Sequence, residues 1–161
     1  MYKEQAGGEG GSNSEGEYVG PLSPEGIAVS WDKGGYRYRG RNGELLSDER
    51  FEWASGFDKG NAWVRQSGSD YLVNAGISRV AGPFAEHWSF ADDIARVQYQ
   101  DGKYAYVRRD GKILGESRFD FGSDFYMGFA VVRKGSLEGR LDLEGRLEVE
   151  TDGGTEIKED Y

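Results

Sequence analysis

Paired carboxylates are the residues of this 161-residue chain that could do chemistry. Hydrolysis of a glycosidic bond requires two carboxyl groups that flank it, and the candidate pairs are Asp92-Asp93 and Asp120 with Asp124. The sequence contains a repeat, described below, and Asp93 holds a position in it at which the other copies have glycine. A position of this kind is typical of a turn. We therefore interpret these acids as turn and loop residues and predict no catalytic residue.

Other catalytic or metal-binding arrangements are excluded by composition. The chain has no cysteine and a single histidine, His87, which excludes a disulfide scaffold, a thiolate zinc site, a cysteine nucleophile and a multi-histidine metal site. The glycine-rich stretch Gly7–Gly11 does not follow a strand or open a helix, and it carries no phosphate-binding lysine. The sequence thus predicts a protein that is not an enzyme and has no metal or cofactor.

The charge is strongly acidic and uneven. The net charge is −9 and the isoelectric point is near 4.7, with the excess of acids at the two ends and a neutral body between them. Nucleic-acid binding is not expected, because it requires a positive face. The acidic ends either solubilise the protein or meet a basic partner. The longest apolar runs have only four residues and the first residues do not resemble a signal peptide, so we expect a soluble, cytoplasmic protein without membrane contact.

A repeat of about 34 residues is the strongest pattern in the sequence. It is marked by four alanines at nearly equal intervals, which are Ala28, Ala62, Ala95 and Ala130. Phenylalanine precedes each of the last three alanines by five residues, and another phenylalanine stands six residues earlier. Glycine recurs at a nearly constant distance after each alanine and is followed by a short apolar segment; these glycines are Gly43, Gly76, Gly111 and Gly145. The chain therefore consists of four copies of one structural unit.

Alternation of residue types predicts strands within each unit. In residues 61–65, Ala62 and Val64 share one face of a strand, and Trp63 and Arg65 share the other. Pairs such as Asn42-Gly43 supply the positive φ angles of tight hairpin turns. We predict an all-β protein of four tandem three-stranded β-meander repeats, with the apolar segment after the glycine as third strand. The repeats form an open or partly closed array, and a small four-bladed β-propeller is the alternative.

These features define the expected domain organisation. Residues 1–20 are rich in Gly and Glu and are expected to be flexible. Residues 21–150 form the β-repeat domain, and residues 151–161 form an acidic tail. The repeats themselves lie near residues 22–56, 57–89, 90–124 and 125–150.

The repeat resembles the WG repeat, a bacterial β-rich repeat. Its first half is similar to Glu25-Gly-Ile-Ala-Val29, and its second half is similar to Asp101-Gly-Lys-Tyr-Ala-Tyr-Val-Arg-Arg-Asp-Gly-Lys-Ile-Leu114. The Trp-Gly pair that names the repeat is not kept intact in any unit: the four positions are Tyr36-Arg37, Ser69-Asp70, Tyr104-Ala105 and Glu138-Gly139. The resemblance implies a repeat used for interactions and carries no catalytic residues.

Aromatic and arginine side chains on the non-core face are the candidate binding residues, because these types dominate interface hot spots. If the alanines and the tyrosines of the second strand both point inward, the outward residues include Trp31, Arg37, Arg39, Trp63, Arg65 and Arg96. The sequence leaves open whether Trp31 and Trp63 are exposed. Three further rings, Trp53, Trp88 and Phe121, are expected in the core.

The function predicted from these observations is a non-enzymatic protein-binding module. Its most specific version is an immunity or antitoxin-like protein, since size, acidity and the absence of catalytic groups suit a protein that neutralises a basic toxin or nuclease. The alternative is a carbohydrate or cell-wall binding module in which exposed aromatic rings stack on sugars.

Overall fold

The computed structural model of the protein describes residues 11–12, 16–151 and 153–158. Within these ranges it contains only β-strands, turns and one short 3-10 turn at Leu114–Glu116. Four antiparallel sheets of three to five strands are present, and none closes into a barrel. The predicted all-β repeat of meanders is thus confirmed. No helix of the described chain is long or apolar enough to cross a bilayer.

The chain forms two compact units, Met1–Gly82 and Pro83–Tyr161, which are described separately. In the first unit, one sheet contains strands β1 to β4: Gly11–Ser12, Tyr18–Val19, Ala28–Asp32 and Gly35–Arg39. The next sheet contains strands β5 to β8: Trp53–Ala54, Asn61–Gln66, Ser69–Asn74 and Arg79–Phe84. Neighbouring strands in each sheet are consecutive in sequence, as in a meander.

The second unit has the same organisation. Its first sheet contains strands β9 to β11: Glu86–Ala91, Ile94–Gln98 and Tyr104–Arg108. Its second sheet contains strands β12 to β16: Phe121–Gly122, Phe129–Lys134, Leu137–Asp142, Leu147–Thr151 and Gly154–Lys158. The two strands predicted to begin each meander therefore form in all four repeats.

The predicted third strand forms in only two of the repeats, as β8 and β15. In the first and third repeats the corresponding segment makes only isolated bridges, one between Arg39 and Leu45 and one between Val107 and Ile113. In the first repeat polar residues follow the apolar pair directly, and in the third repeat the 3-10 turn begins at the second residue of the pair, Leu114, so the pairing does not extend. The sequence pattern did not distinguish these short segments from true strands.

A phenylalanine-led link takes the place of the missing third strand. Phe51 exchanges backbone hydrogen bonds of 2.8 and 2.9 Å with Tyr36 of β4, and two residues later β5 pairs with β6 of the next sheet. Phe119 and Tyr104 form the same connection in the second unit, with two hydrogen bonds of 2.8 Å. One short stretch of chain therefore belongs to two consecutive sheets and fixes their spacing.

Each unit has its own core, with a buried tyrosine at its centre. Tyr38 and Tyr106 have no exposed surface, and each packs edge-on against a phenylalanine, with ring centroids 5.0 and 5.2 Å apart. Each hydroxyl donates a 2.6 Å hydrogen bond to a backbone carbonyl, that of Ser55 or Ser123. Because the tyrosine recurs at every second repeat, with Leu72 and Arg140 at the other two positions, and the chain divides into two compact units, the structural unit is a pair of repeats.

Described parts of both predicted terminal segments form strands. Of the segment predicted to be flexible, residues 11–12 and 18–19 form β1 and β2, and Glu17 between them is buried. Residues 154–158 of the predicted acidic tail form β16 against β15, since Gly154, at a φ of 111°, lets the chain reverse. Residues 1–10, 13–15, 152 and 159–161 of these two segments lie outside the described residues.

We expect Tyr38→Phe and Tyr106→Phe each to lower the free energy of unfolding by about 1–2 kcal/mol, because a buried carbonyl loses its donor. The double variant should lose about the sum of the two, since the residues lie in separate cores. Chemical denaturation followed by circular dichroism measures both effects. Tyr126→Phe is the matched control, because Tyr126 is 77% exposed; an equal loss in this variant would contradict the assigned role of the hydroxyls.

Candidate binding surface

Three of the residues predicted to form one binding face are in the first sheet, and they lie on its two different faces. Residues that are directly opposed on antiparallel strands share a face, and Ala28 opposes Arg39 while Trp31 opposes Tyr36. Arg39 and Arg37 are therefore on the alanine face, and Trp31 is on the other. The prediction placed the alanines and the tyrosines on the same side, whereas the strand register places them on opposite sides.

Arg37 and Arg39 are held by a buried carboxylate. Arg39 Nη2 lies 2.7 Å from Glu17 Oε1, and Arg37 Nη2 lies 3.2 Å from Glu17 Oε2. The Ser30 hydroxyl donates to Glu17 Oε2 at 2.8 Å. Burial by itself would raise the pKa of Glu17, but the hydrogen bonds from Ser30 and Arg39 and the charge of Arg39 outweigh it and hold the pKa below its usual value. These two arginines stabilise the fold at the position where the chain enters the first sheet.

Trp63 is a core residue. It opposes Leu72 across β6 and β7, and its exposed fraction is only 6%. Trp53 and Phe121, which were expected in the core, are instead 38% and 44% exposed, and Trp88 is half-buried. Trp53 and Phe121 lie on the two-residue strands β5 and β12, which are too short to be covered as fully as a central strand.

In the second unit, exposed and half-buried aromatic rings alternate with arginines. The Arg96 guanidinium lies 4.0 Å from the ring centroid of Trp88 and 5.7 Å from that of Tyr104. Tyr104 contacts Phe121 at 6.4 Å, and Arg133 lies 6.0 Å from the Phe121 ring. We call these five residues the second ladder. Such cation–π and edge-to-face contacts keep the rings ordered at the surface.

The first unit carries a corresponding first ladder. Tyr18 contacts Trp31 at 4.2 Å, and Trp31 stacks on Tyr36 at 5.8 Å. Trp53 and Arg65 oppose each other on β5 and β6 and complete the first ladder. Phe121 and Arg133 oppose each other in the same way on β12 and β13. Arg65 also forms a 3.0 Å ion pair with Asp70.

Three of the six predicted residues thus lie on the ladders: Trp31, Arg65 and Arg96. The sequence reasoning missed Trp53 and Phe121, although an aromatic residue at the same position of the first and third repeats was a readable signal. The other three predicted residues, Arg37, Arg39 and Trp63, are engaged in the structural roles described above.

Comparison with known families agrees with this geometry. A model of the WG containing repeat matches residues 40–68 and 105–137. These two segments are similar to the WG repeat. The two matched segments occupy corresponding parts of the two units. The WG repeat is not known as an enzyme family. Tyr36 and Tyr104, which hold the position of the WG tryptophan, are both members of the ladders.

Other comparisons are more distant. The crystal structure of the computationally designed Ika8 protein, crystal packing No.1 in P63, matches with a TM-score of 0.45 and 12% identity. The match covers 97% of this chain and 56% of that chain, so the chain spans little more than half the length of the designed protein. No curated protein matches the sequence.

The acids first considered for catalysis have structural roles in the second unit. Asp92 and Asp93, at φ angles of 55° and 61°, form the tight turn between β9 and β10, as predicted. Asp92 Oδ2 accepts the backbone N–H of Gly128 at 2.9 Å, and Asp93 pairs with Arg109 at 2.9 Å. The remaining candidates are also engaged in ion pairs, Asp120 with Lys103 and Asp124 with Arg96. Among the described residues, no group of three His, Asp or Glu side chains could hold a metal ion.

Glu17→Gln should lower the free energy of unfolding near neutral pH by about 2 kcal/mol, because two half-buried arginines lose their counter-charge. The folded-state pKa of Glu17 is depressed, so this stabilisation is present above the unfolded-state value of 4.5 and is lost as pH falls through the folded-state value. Urea denaturation of the Glu17→Gln variant and of the unmodified protein between about pH 7 and pH 3 measures this effect. Their free energies of unfolding should converge as the pH falls.

Glu86→Gln is the matched control for this prediction, since Glu86 is exposed. Its stability should follow that of the unmodified protein at every pH. A constant difference between the Glu17→Gln variant and the unmodified protein across the pH range would contradict the assigned role of the Glu17 charge.

Proposed function

We propose that this chain is a non-enzymatic protein-binding module that contacts its partner through the two ladders. The observation that carries the proposal is the exposure of Trp53 and Phe121, at 38% and 44%, at corresponding positions of the two units. Each stands opposite an arginine, Arg65 or Arg133. Ordered aromatic rings and arginines are the side chains that contribute most to protein interfaces, and their preorganisation lowers the entropic cost of binding.

The partner we propose is a basic protein, and the most specific role is that of a cytoplasmic immunity or antitoxin-like protein. The net charge of −9 would steer a basic partner towards the chain and accelerate association. The same charge argues against nucleic acid as the partner. A toxin or nuclease that binds anionic substrates has a positive surface of the required kind.

A carbohydrate ligand is the second candidate. It is favoured by the Tyr18–Trp31–Tyr36 stack, in which three flat rings lie side by side with centroid separations of 4.2 and 5.8 Å. Rings in such a row offer their faces to the apolar side of successive sugar units.

We expect Trp53→Ser and Phe121→Ser each to weaken partner binding at least tenfold, because each removes an interface anchor of the hot-spot type. The purified full chain is used as bait in lysate of the source organism, the protein retained in stoichiometric amount is identified, and its affinity for each variant is then measured. Ile157→Ser is the matched control, since Ile157 is 50% exposed but lies on β16, outside both ladders.

Equal binding by all three variants would overturn the role of the ladders. Titration with soluble oligosaccharides, followed by tryptophan fluorescence, separates the second candidate from the first. A saturable shift that Trp31→Ala abolishes, together with no retained protein, would favour the carbohydrate function over the protein-binding function.

A further inference from the structure

An open cavity of about 640 Å³ lies in the second unit, lined by Tyr99, Lys112, Ile113, Ser117 and Arg118. Its size is within the range of small-molecule sites. Ser117 is 5% exposed, and Lys134 donates a 2.9 Å hydrogen bond to its hydroxyl. The cavity therefore combines apolar walls with a buried polar group and three nearby cations.

Among the described residues that line the cavity, two are cations, Lys112 and Arg118, and none is an acid. Arg118 lies 3.6 Å above the Tyr99 ring and forms a 3.2 Å ion pair with Asp101. The ammonium group of Lys112 forms no ion pair with any residue that the structure describes, while its backbone N–H donates to the side chain of Asp110. The charge of Lys112 is thus not compensated by a described residue, and it favours an anionic ligand.

The first unit lacks this charge at the corresponding positions. Glu44 and Glu49 stand there, two repeats before Lys112 and Ser117. Glu49 pairs with Arg79 at 2.6 Å, and Arg50, which corresponds to Arg118, pairs with Asp32 at 2.7 Å. The residues that follow Glu44 and Lys112 form equivalent isolated bridges, Leu45 with Arg39 and Ile113 with Val107. The fold therefore does not require cations at these positions, and of the two units only the second carries a lysine there.

We propose that this cavity binds a small phosphate monoester. The planar fork of Arg118 and the ammonium of Lys112 suit the phosphoryl oxygens, to which arginine donates two parallel hydrogen bonds. The exposed surface of Ile113 and the edge of Tyr99 contact the organic group. This site uses none of the ladder residues, so it is independent of the proposed protein-binding function.

The experiment is isothermal titration calorimetry of the full chain with phenyl phosphate at constant ionic strength. Saturable binding of one equivalent is expected. Lys112→Gln should weaken it about tenfold, since one charge-assisted hydrogen bond is lost, and Lys112→Glu, which installs the acid of the first unit, should abolish it. Lys33→Gln, which removes an exposed lysine in the first unit, should leave the affinity unchanged.

Three outcomes would overturn the proposal. The first is the absence of saturable heat up to about 10 mM phenyl phosphate. The second is an equal loss of affinity in the Lys112→Gln and Lys33→Gln variants. The third is equal affinity for benzoate, which carries the same ring without a phosphate. Inorganic phosphate is the second probe, and it should bind more weakly than phenyl phosphate if Ile113 and Tyr99 contact the organic group. Circular dichroism of each variant verifies that the loss is not caused by unfolding.

Discussion

A buried tyrosine hydroxyl, donating to a backbone carbonyl in the link between two sheets, holds each unit together. Tyr38 belongs to β4, but its acceptor Ser55 follows β5 of the next sheet. The Ser55 hydroxyl in turn accepts the backbone N–H of Trp63 on β6, at 2.9 Å. A single side chain thus fixes the position of the link relative to the strands on both sides, and Tyr106 does the same in the second unit.

The exposure of Trp53 and Phe121 follows from the position of this link. The link is held at its buried end by Phe51, which is 2% exposed, and it then runs as the two-residue strand that carries Trp53. Because successive residues of a strand alternate between faces, Ala54 enters the core and Trp53 is left partly in solvent. The same alternation makes Gly122 buried and Phe121 exposed. The ladders are therefore a consequence of how consecutive sheets are joined.

Local patterns made the repeat, its strands and its turns predictable, because alternation and Asn-Gly or Asp-Gly pairs act over a few residues. The face of Arg37 and Arg39 was not predictable in this way, since it depends on which residue of β3 opposes which residue of β4. Glu17 precedes the first repeat, so no periodicity connects it with the arginines that it holds. Predicting the exposure of Trp53 required recognising that the repeats form pairs. The recurrence of Tyr38 as Tyr106, two repeats later, was the signal for this pairing in the sequence.

Two units with separate cores can also diverge separately. A substitution that alters packing around Tyr38 leaves the filled interior around Tyr106 in place, so one copy preserves the scaffold while its counterpart explores new side chains. Glu44 and Lys112 differ in charge on equivalent backbone, which shows that the surface of one unit can change while the scaffold of both stays the same. One backbone can therefore present two chemically different surfaces along the same chain.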